Sequence, residues 1–182
     1  MGKLNSYGTF ENIMHWILTI MCWFAVIVLL IYFSNKKLGF NILNENKVNQ
    51  KGIILSIILM AICIVLNVYD WGNLKIICEF KQSNVIEFIF QYVYYIFEIG
   101  LVFLIVAFGQ KFSETILNRE SRIPFGGIIL CCTWGMIHIL SKQSIYTGLG
   151  VMIFSIIYGL MYVFFNKNTK YSYIAMLLAF II

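Results

Sequence analysis

Charge is what this sequence most conspicuously lacks: only 12% of its 182 residues are Asp, Glu, Lys or Arg, eight of them acidic. A water-soluble domain of this size covers itself with roughly a quarter charged residues, so soluble enzyme and nucleic-acid-binding readings are excluded from the start. Proline is nearly absent, at one residue, and the 13 glycines form no low-complexity tract, which excludes a disordered chain. The five cysteines form no C-x-x-C pair and no ladder with histidine. Four of them, Cys22, Cys63, Cys131 and Cys132, sit inside apolar runs and read as small buried hydrophobes, while Cys78 falls in a connection. Phosphate-binding glycine loops, H-E-x-x-H pairs and G-x-S-x-G elbows are missing as well, removing support for nucleotide hydrolysis and for zincin or serine-hydrolase chemistry.

What is present is apolar: 61% hydrophobic content and a mean hydropathy of +0.87. Runs near 20 apolar residues, the length that crosses about 30 Å of hydrocarbon at 1.5 Å per residue, occur six times. They lie at about residues 13–33, 52–69, 85–108, 125–140, 145–165 and 171–182. The fold class expected is therefore all-α, a polytopic integral membrane bundle of about six transmembrane helices forming a single domain over 1–182, solvated by the lipid bilayer. The first run is longer than a signal-peptide core and has no small-x-small cleavage pattern after Phe33, so it is expected to stay as an anchor. The fourth and sixth runs are short.

With six spans, nine basic residues fall on one side: Lys36, Lys37, Lys47, Lys51, Lys111, Arg119, Arg122, Lys167 and Lys170. Four fall on the other, Lys3, Lys75, Lys81 and Lys142. The positive-inside rule then puts both termini outside, in what is expected to be the cell membrane. The connection from Gly109 to Ile123 interleaves Lys111, Arg119 and Arg122 with Phe112, Ile116 and Leu117. It reads either as a short amphipathic helix on the anionic leaflet or as a solvated turn.

Ionisable groups inside a bilayer are costly and are functional candidates unless they reach the interface. Three qualify: Glu87 and Glu98 on the third span and His138 near the end of the fourth, whereas His15 is explained by the interface. At about 100° per residue, Gln91, Tyr94 and Glu98 all fall within about 40° of Glu87, making one polar stripe that must face protein or water. The stripe serves either as a helix-packing hydrogen-bond network or as the wall of a site with a catalytic or ion-binding carboxylate. His138 closes the segment Trp134-Gly135-Met136-Ile137-His138, where Gly126, Gly127 and Gly135 allow close backbone approach. A linear estimate places Glu98 about 16 Å below Glu87 and His138 about 5 Å below Ser141, so the two candidates share a level only if a helix tilts or sits deep. Ser155 and Gly159 form a small-xxx-small pair read as a packing face.

Residues 94–182 resemble the core of the CAAX protease and bacteriocin-processing (CPBP, or Abi) family of intramembrane proteases. Glu98 stands for a glutamate of that family's first motif, E-E-x-x-x-R. Trp134-Gly135-Met136-Ile137-His138 matches the second, F/W-G-x-x-H. Ile156-Ile157-Tyr158-Gly159-Leu160-Met161-Tyr162 with Asn166-Lys167-Asn168 resembles the third region. The neighbours of Glu98 are Phe97 and Ile99, Val102 or Phe103 stands where the arginine belongs, and the last histidine is missing. The resemblance implies a glutamate-dependent peptidase acting on membrane-associated peptides, with Glu98 activating water and His138 orienting it or helping to hold a divalent metal. Gln91, Tyr94, Glu87 and Trp134 are the accompanying binding candidates. One Glu and one His fall short of the three protein ligands usual for catalytic zinc, so no complete metal site is expected. The alternative is a non-catalytic scaffold or immunity protein that binds another membrane protein, and a small transporter is disfavoured by the lack of internal repeats.

Overall fold

The computed structural model describes residues 8–182; Lys3, one of the charges used to orient the chain, lies outside them. The described chain is an all-α membrane bundle. Its elements are α1 (Thr9–Lys37), α2 (Gln50–Trp71), α3 (Lys75–Gln82), α4 (Val85–Leu117), α5 (Phe125–Leu130), a π-helical turn (Cys131–Gly135), α6 (Met136–Lys142), α7 (Ile145–Phe164) and α8 (Thr169–Ile181). Five stretches are long and apolar enough to cross a bilayer: Thr9–Lys37, Gln50–Gln82, Val85–Leu117, Phe125–Lys142 and Ile145–Phe164. The sixth, α8, has 13 residues and rises only about 20 Å, less than a full crossing needs.

Local chemistry sets the boundaries. Asn49, Asn84, Ser144 and Asn168 each cap a helix by accepting a hydrogen bond from a first-turn backbone N–H. α2 stops at Gly72, whose φ of +73° is the left-handed conformation that glycine adopts without steric cost. Asn118 ends α4 in the same conformation, with its N–H returning to the Glu114 and Thr115 carbonyls.

Two expectations for the connections are corrected. The third span does not end near residue 108, because α4 continues unbroken to Leu117. Gly109–Leu117 is thus the end of α4 rather than a separate surface helix, and only 118–123, with Arg119 and Arg122, forms a largely exposed turn. In addition, Lys75–Gln82 is a helix rather than part of a plain connection, and it buries Lys75 and Glu79.

Helices in lipid gain little from hiding apolar surface from one another, so association rests on close packing at small residues and on hydrogen bonds. α4 and α7 form the centre, burying Ile99, Val102, Phe103, Val106 and Ala107 on one and Ile157, Tyr158, Met161 and Tyr162 on the other. α8 adds Ala175, Met176 and Ala179. α1 packs chiefly on α4 and leaves most of its apolar surface exposed to lipid. Between α5 and α7 the contact is backbone to backbone: a Cβ placed on Gly159 would stand 2.5 Å from Gly127 Cα, and one on Gly127 would stand 2.7 Å from the Ser155 carbonyl. Gly126 meets the Val106 carbonyl of α4 in the same way.

Polar clasps hold the two ends of the bundle. At one end, the segment before α2 is laced to the turn before α8: Thr169 N–H donates to the Asn44 carbonyl (2.9 Å), Asn168 Nδ2 to the Asn46 carbonyl (2.7 Å) and Asn166 Nδ2 to the Lys47 carbonyl (3.1 Å). On the same side, Glu114 accepts from Lys167 Nζ at 2.9 Å, from Gln110 Nε2 at 2.8 Å and from Ser121 N–H at 3.0 Å. Gln110 Oε1 in turn accepts from Gly126 N–H at 3.2 Å, tying α4 to the start of α5. At the other end, Lys75 Nζ donates to the Phe180 carbonyl at 3.1 Å and lies 3.7 Å from the Phe180 ring centroid, while Lys75 N–H donates to the Ile182 carbonyl.

Candidate functional site

A cavity of about 540 Å³ opens among α2, α4, α6, α7 and the end of α8. Most of its wall is apolar, including Leu66, Ile99, Val102, Leu130, Ile153 and Phe154. Its polar groups are Asn67, Tyr69 and Asp70 from α2, Lys75 from α3, Glu98 from α4, Trp134 and His138 from the fourth span, and Tyr146, Thr147, Ser155 and Tyr158 from α7. Such a shape, largely apolar with a handful of convergent polar groups, is the usual form of a small-ligand or peptide-segment site.

Glu98 and His138, separated in depth on a linear estimate, both line this one cavity. The π-helical turn lies between the start of the fourth span and His138. One wide turn shifts the register of everything that follows it, and such bulges recur where a helix re-aims side chains. Gly135 sits in this turn against Met152 of α7, so the two helices approach closely where Trp134 and His138 enter the cavity.

His138 is held by Trp134, one helical turn before it. Trp134 Nε1–H donates to His138 Nε2 at 3.3 Å, and His138 Nδ1 lies 2.9 Å from the Trp134 carbonyl. An indole N–H can only donate, so Nε2 is the acceptor and the proton sits on Nδ1, where it bonds the carbonyl. This assigns a neutral Nδ1–H tautomer with both ring nitrogens engaged. No described residue hydrogen-bonds the Glu98 carboxylate, so the pair share a cavity without touching through a hydrogen bond.

The proposed stripe of Glu87, Gln91, Tyr94 and Glu98 does not act as one wall, because α4 meets a different neighbour at each level. Glu87 accepts from Asn84 Nδ2 at 2.8 Å beside the helix cap. Gln91 donates to Glu79 of α3 at 3.1 Å and contacts the Tyr95 hydroxyl at 2.6 Å. Tyr94 packs on Trp23 of α1, with ring centroids 4.6 Å apart. Of the four, Glu98 alone lines the cavity, and Trp134 joins it from the other side.

Residues that sequence reasoning missed complete the picture. Lys75, counted as a charge in an outer connection, is only 7% exposed and reaches the cavity wall. Glu79 is buried and accepts from the Tyr92 and Tyr95 hydroxyls at 3.0 and 2.7 Å, which fixes α3 over the start of α4. Tyr158, seen in the sequence only as part of a resemblance, is 4% exposed, lines the cavity, and its hydroxyl has no hydrogen-bond partner among the described residues. Its tyrosine type within an otherwise aliphatic run was the available signal.

A metal does not fit these residues. Among the described residues no group of three or more His, Cys, Asp and Glu side chains is placed to hold one. His138 already has both nitrogens committed to Trp134. No protein-family model matches the chain, and neither a characterised protein nor a solved structure matches it.

Proposed function

We propose that this chain is a CPBP-like intramembrane protein of the cell membrane that admits a segment of a membrane-associated peptide into the cavity and hydrolyses it with Glu98 as general base. The observation that supports the reading is that Glu98 and His138, contributed by different helices, line the same cavity, His138 in a segment that resembles that family's second motif and Glu98 standing for one glutamate of its first. Glu98 takes a proton from water, the resulting hydroxide attacks the peptide carbonyl, and the proton passes to the departing amine. His138, fixed as a neutral ring by Trp134, orients the reacting groups as a rigid wall residue. The charge bias of the connections supports an orientation with both termini outside. On that orientation the cavity end bearing Asp70 and Lys75 faces the exterior.

A second reading is favoured by one specific observation, the full engagement of His138 by Trp134. In that reading the cavity binds its partner, a membrane peptide or another membrane protein, without cleaving it. Quenched-fluorescence peptides presented to the protein in bilayer discs separate the two. Cleavage by the native chain that disappears in Glu98→Gln establishes the peptidase; peptide binding by both proteins with cleavage by neither establishes the binding protein.

A further inference from the structure

We propose that the cavity holds a primary ammonium group carried on an apolar chain, with the ammonium seated between Glu98 and Tyr158. The inference rests on the second reading, in which the cavity binds its partner without cleaving it, since a carboxylate that holds an ammonium is not free to take a proton from water; it names the chemistry of the occupant.

Three observations converge on it. Tyr158 is almost fully buried, on the wall of the cavity, and its hydroxyl is unpartnered among the described residues. A buried polar group left unpaired is costly, and a ligand that satisfies it recovers that cost. Glu98, on the facing helix, receives no hydrogen bond from any described residue. A carboxylate accepts and cannot donate, so its natural complement is a donor, most strongly a charged one. The third observation is the sign of the cavity. Glu98 and, at the exposed rim, Asp70 line the cavity with one cation, Lys75, while Lys142 lies near Glu98 without lining it. The Lys75 ammonium is already bound to the Phe180 carbonyl and packed against the Phe180 and Tyr95 rings. His138 is neutral by its tautomer. No lining cation is free to pair with Glu98, and an ammonium with three donors serves Glu98 and Tyr158 at once while its chain lies along the aliphatic wall. An anion would meet two carboxylates and no free donor of positive charge.

The same ammonium chemistry comes from two sources, a free amphiphilic amine or a lysine side chain of a membrane peptide. The experiment is calorimetric titration of the full chain in bilayer discs with n-octylammonium, n-octanol and octanoate, each corrected with protein-free discs. n-Octylammonium is expected to bind about tenfold or more tightly than n-octanol, and octanoate to bind more weakly than either. Glu98→Gln should abolish the preference for the amine, and Tyr158→Phe, which keeps the ring and its packing, should reduce it. An unchanged preference in a folded Glu98→Gln protein, or octanoate binding as tightly as the amine, overturns the proposal. Should Glu98→Gln fail to fold by circular dichroism, the Tyr158→Phe result decides alone, and an unaltered preference there overturns it. Binding of n-octanol and n-octylammonium with equal affinity defeats the ammonium assignment but leaves the cavity as a binding site. Binding of neither above the blank defeats both. Displacement of octylammonium by an apolar peptide containing one lysine, and not by its norleucine counterpart, assigns the ammonium to a peptide; displacement by neither assigns it to a free amine.

Discussion

The Trp134 indole and the His138 imidazole lie parallel, with planes 8° apart and centroids 5.5 Å apart, and they are joined by a hydrogen bond from Nε1–H to Nε2. Ring stacking and hydrogen bonding in one pair of side chains fix both the orientation and the protonation pattern of the histidine. The helix supplies the second constraint, through the carbonyl of Trp134 itself.

This arrangement predicts the Nδ1–H tautomer for His138. Nitrogen-15 NMR of histidine-labelled protein should show a protonated Nδ1 and an unprotonated Nε2 in the native chain. Trp134→Phe keeps an aromatic plane but removes the donor, so the His138 signals should shift toward those of a ring exchanging between tautomers. Native-like signals in the Trp134→Phe protein would contradict the pairing.

Glu98→Gln is isosteric and removes the base. If the cavity hydrolyses peptides, turnover should fall by a factor of about 100 or more with folded abundance unchanged. Abundance measured by quantitative blotting of membranes, beside the cleavage rate, tells lost chemistry from lost protein.

Glu114 is the hub of the opposite end, and Glu114→Ala removes the acceptor shared by Lys167, Gln110 and the Ser121 N–H, leaving Gln110 the Ile123 carbonyl and Lys167 only the exposed Glu120. Breaking a largely buried, multiply bonded carboxylate should cost about 3 kcal/mol. Lys167→Met, at the more exposed partner, should cost clearly less. Denaturant unfolding in mixed micelles ranks the two, and a larger loss for Lys167→Met would refute the role given to Glu114.

Gly159→Ala places a methyl group against the backbone of Gly127, where neither helix can yield by rotating a side chain. A destabilisation of about 1–3 kcal/mol is expected. Gly150→Ala, on the same helix with open space around its Cβ position, is the control and should be nearly neutral. Equal thermal stability of the two variants would show that the α5–α7 contact is looser than described.

The spans were legible because lipid imposes one strong requirement, a long apolar run, and the sequence obeys it at five places. The end of α4 was not legible. Gly109, Gln110 and Lys111 interrupt the apolar pattern as a loop would, yet Gln110 turns inward because Gly126 N–H and Glu114 await it across the bundle. α3 was hidden for the same reason. Eight residues carry too little apolar signal, and what stabilises them is the fit of Glu79 among Gln91, Tyr92 and Tyr95, a tertiary arrangement. At the candidate site, Glu98 and His138 stood out as costly groups in apolar runs. The π-helical turn lies just before His138 and shifts its register, and nothing in Cys131-Cys132-Thr133 announces an extra residue in that turn. Tyr158 and Lys75 were similarly obscured, one by its aliphatic neighbours and the other by its place near a helix boundary.

The asparagine clasp joins residues 44–47 to residues 166–169, which a ribosome makes about 120 positions apart. Contacts so distant in the chain form late, after the loop between them has closed. During synthesis the segment between α1 and α2 therefore lacks these partners until Asn168 has been made. The clasp thus makes the placing of the segment before α2 depend on the docking of α8, whereas α1 is held by α4.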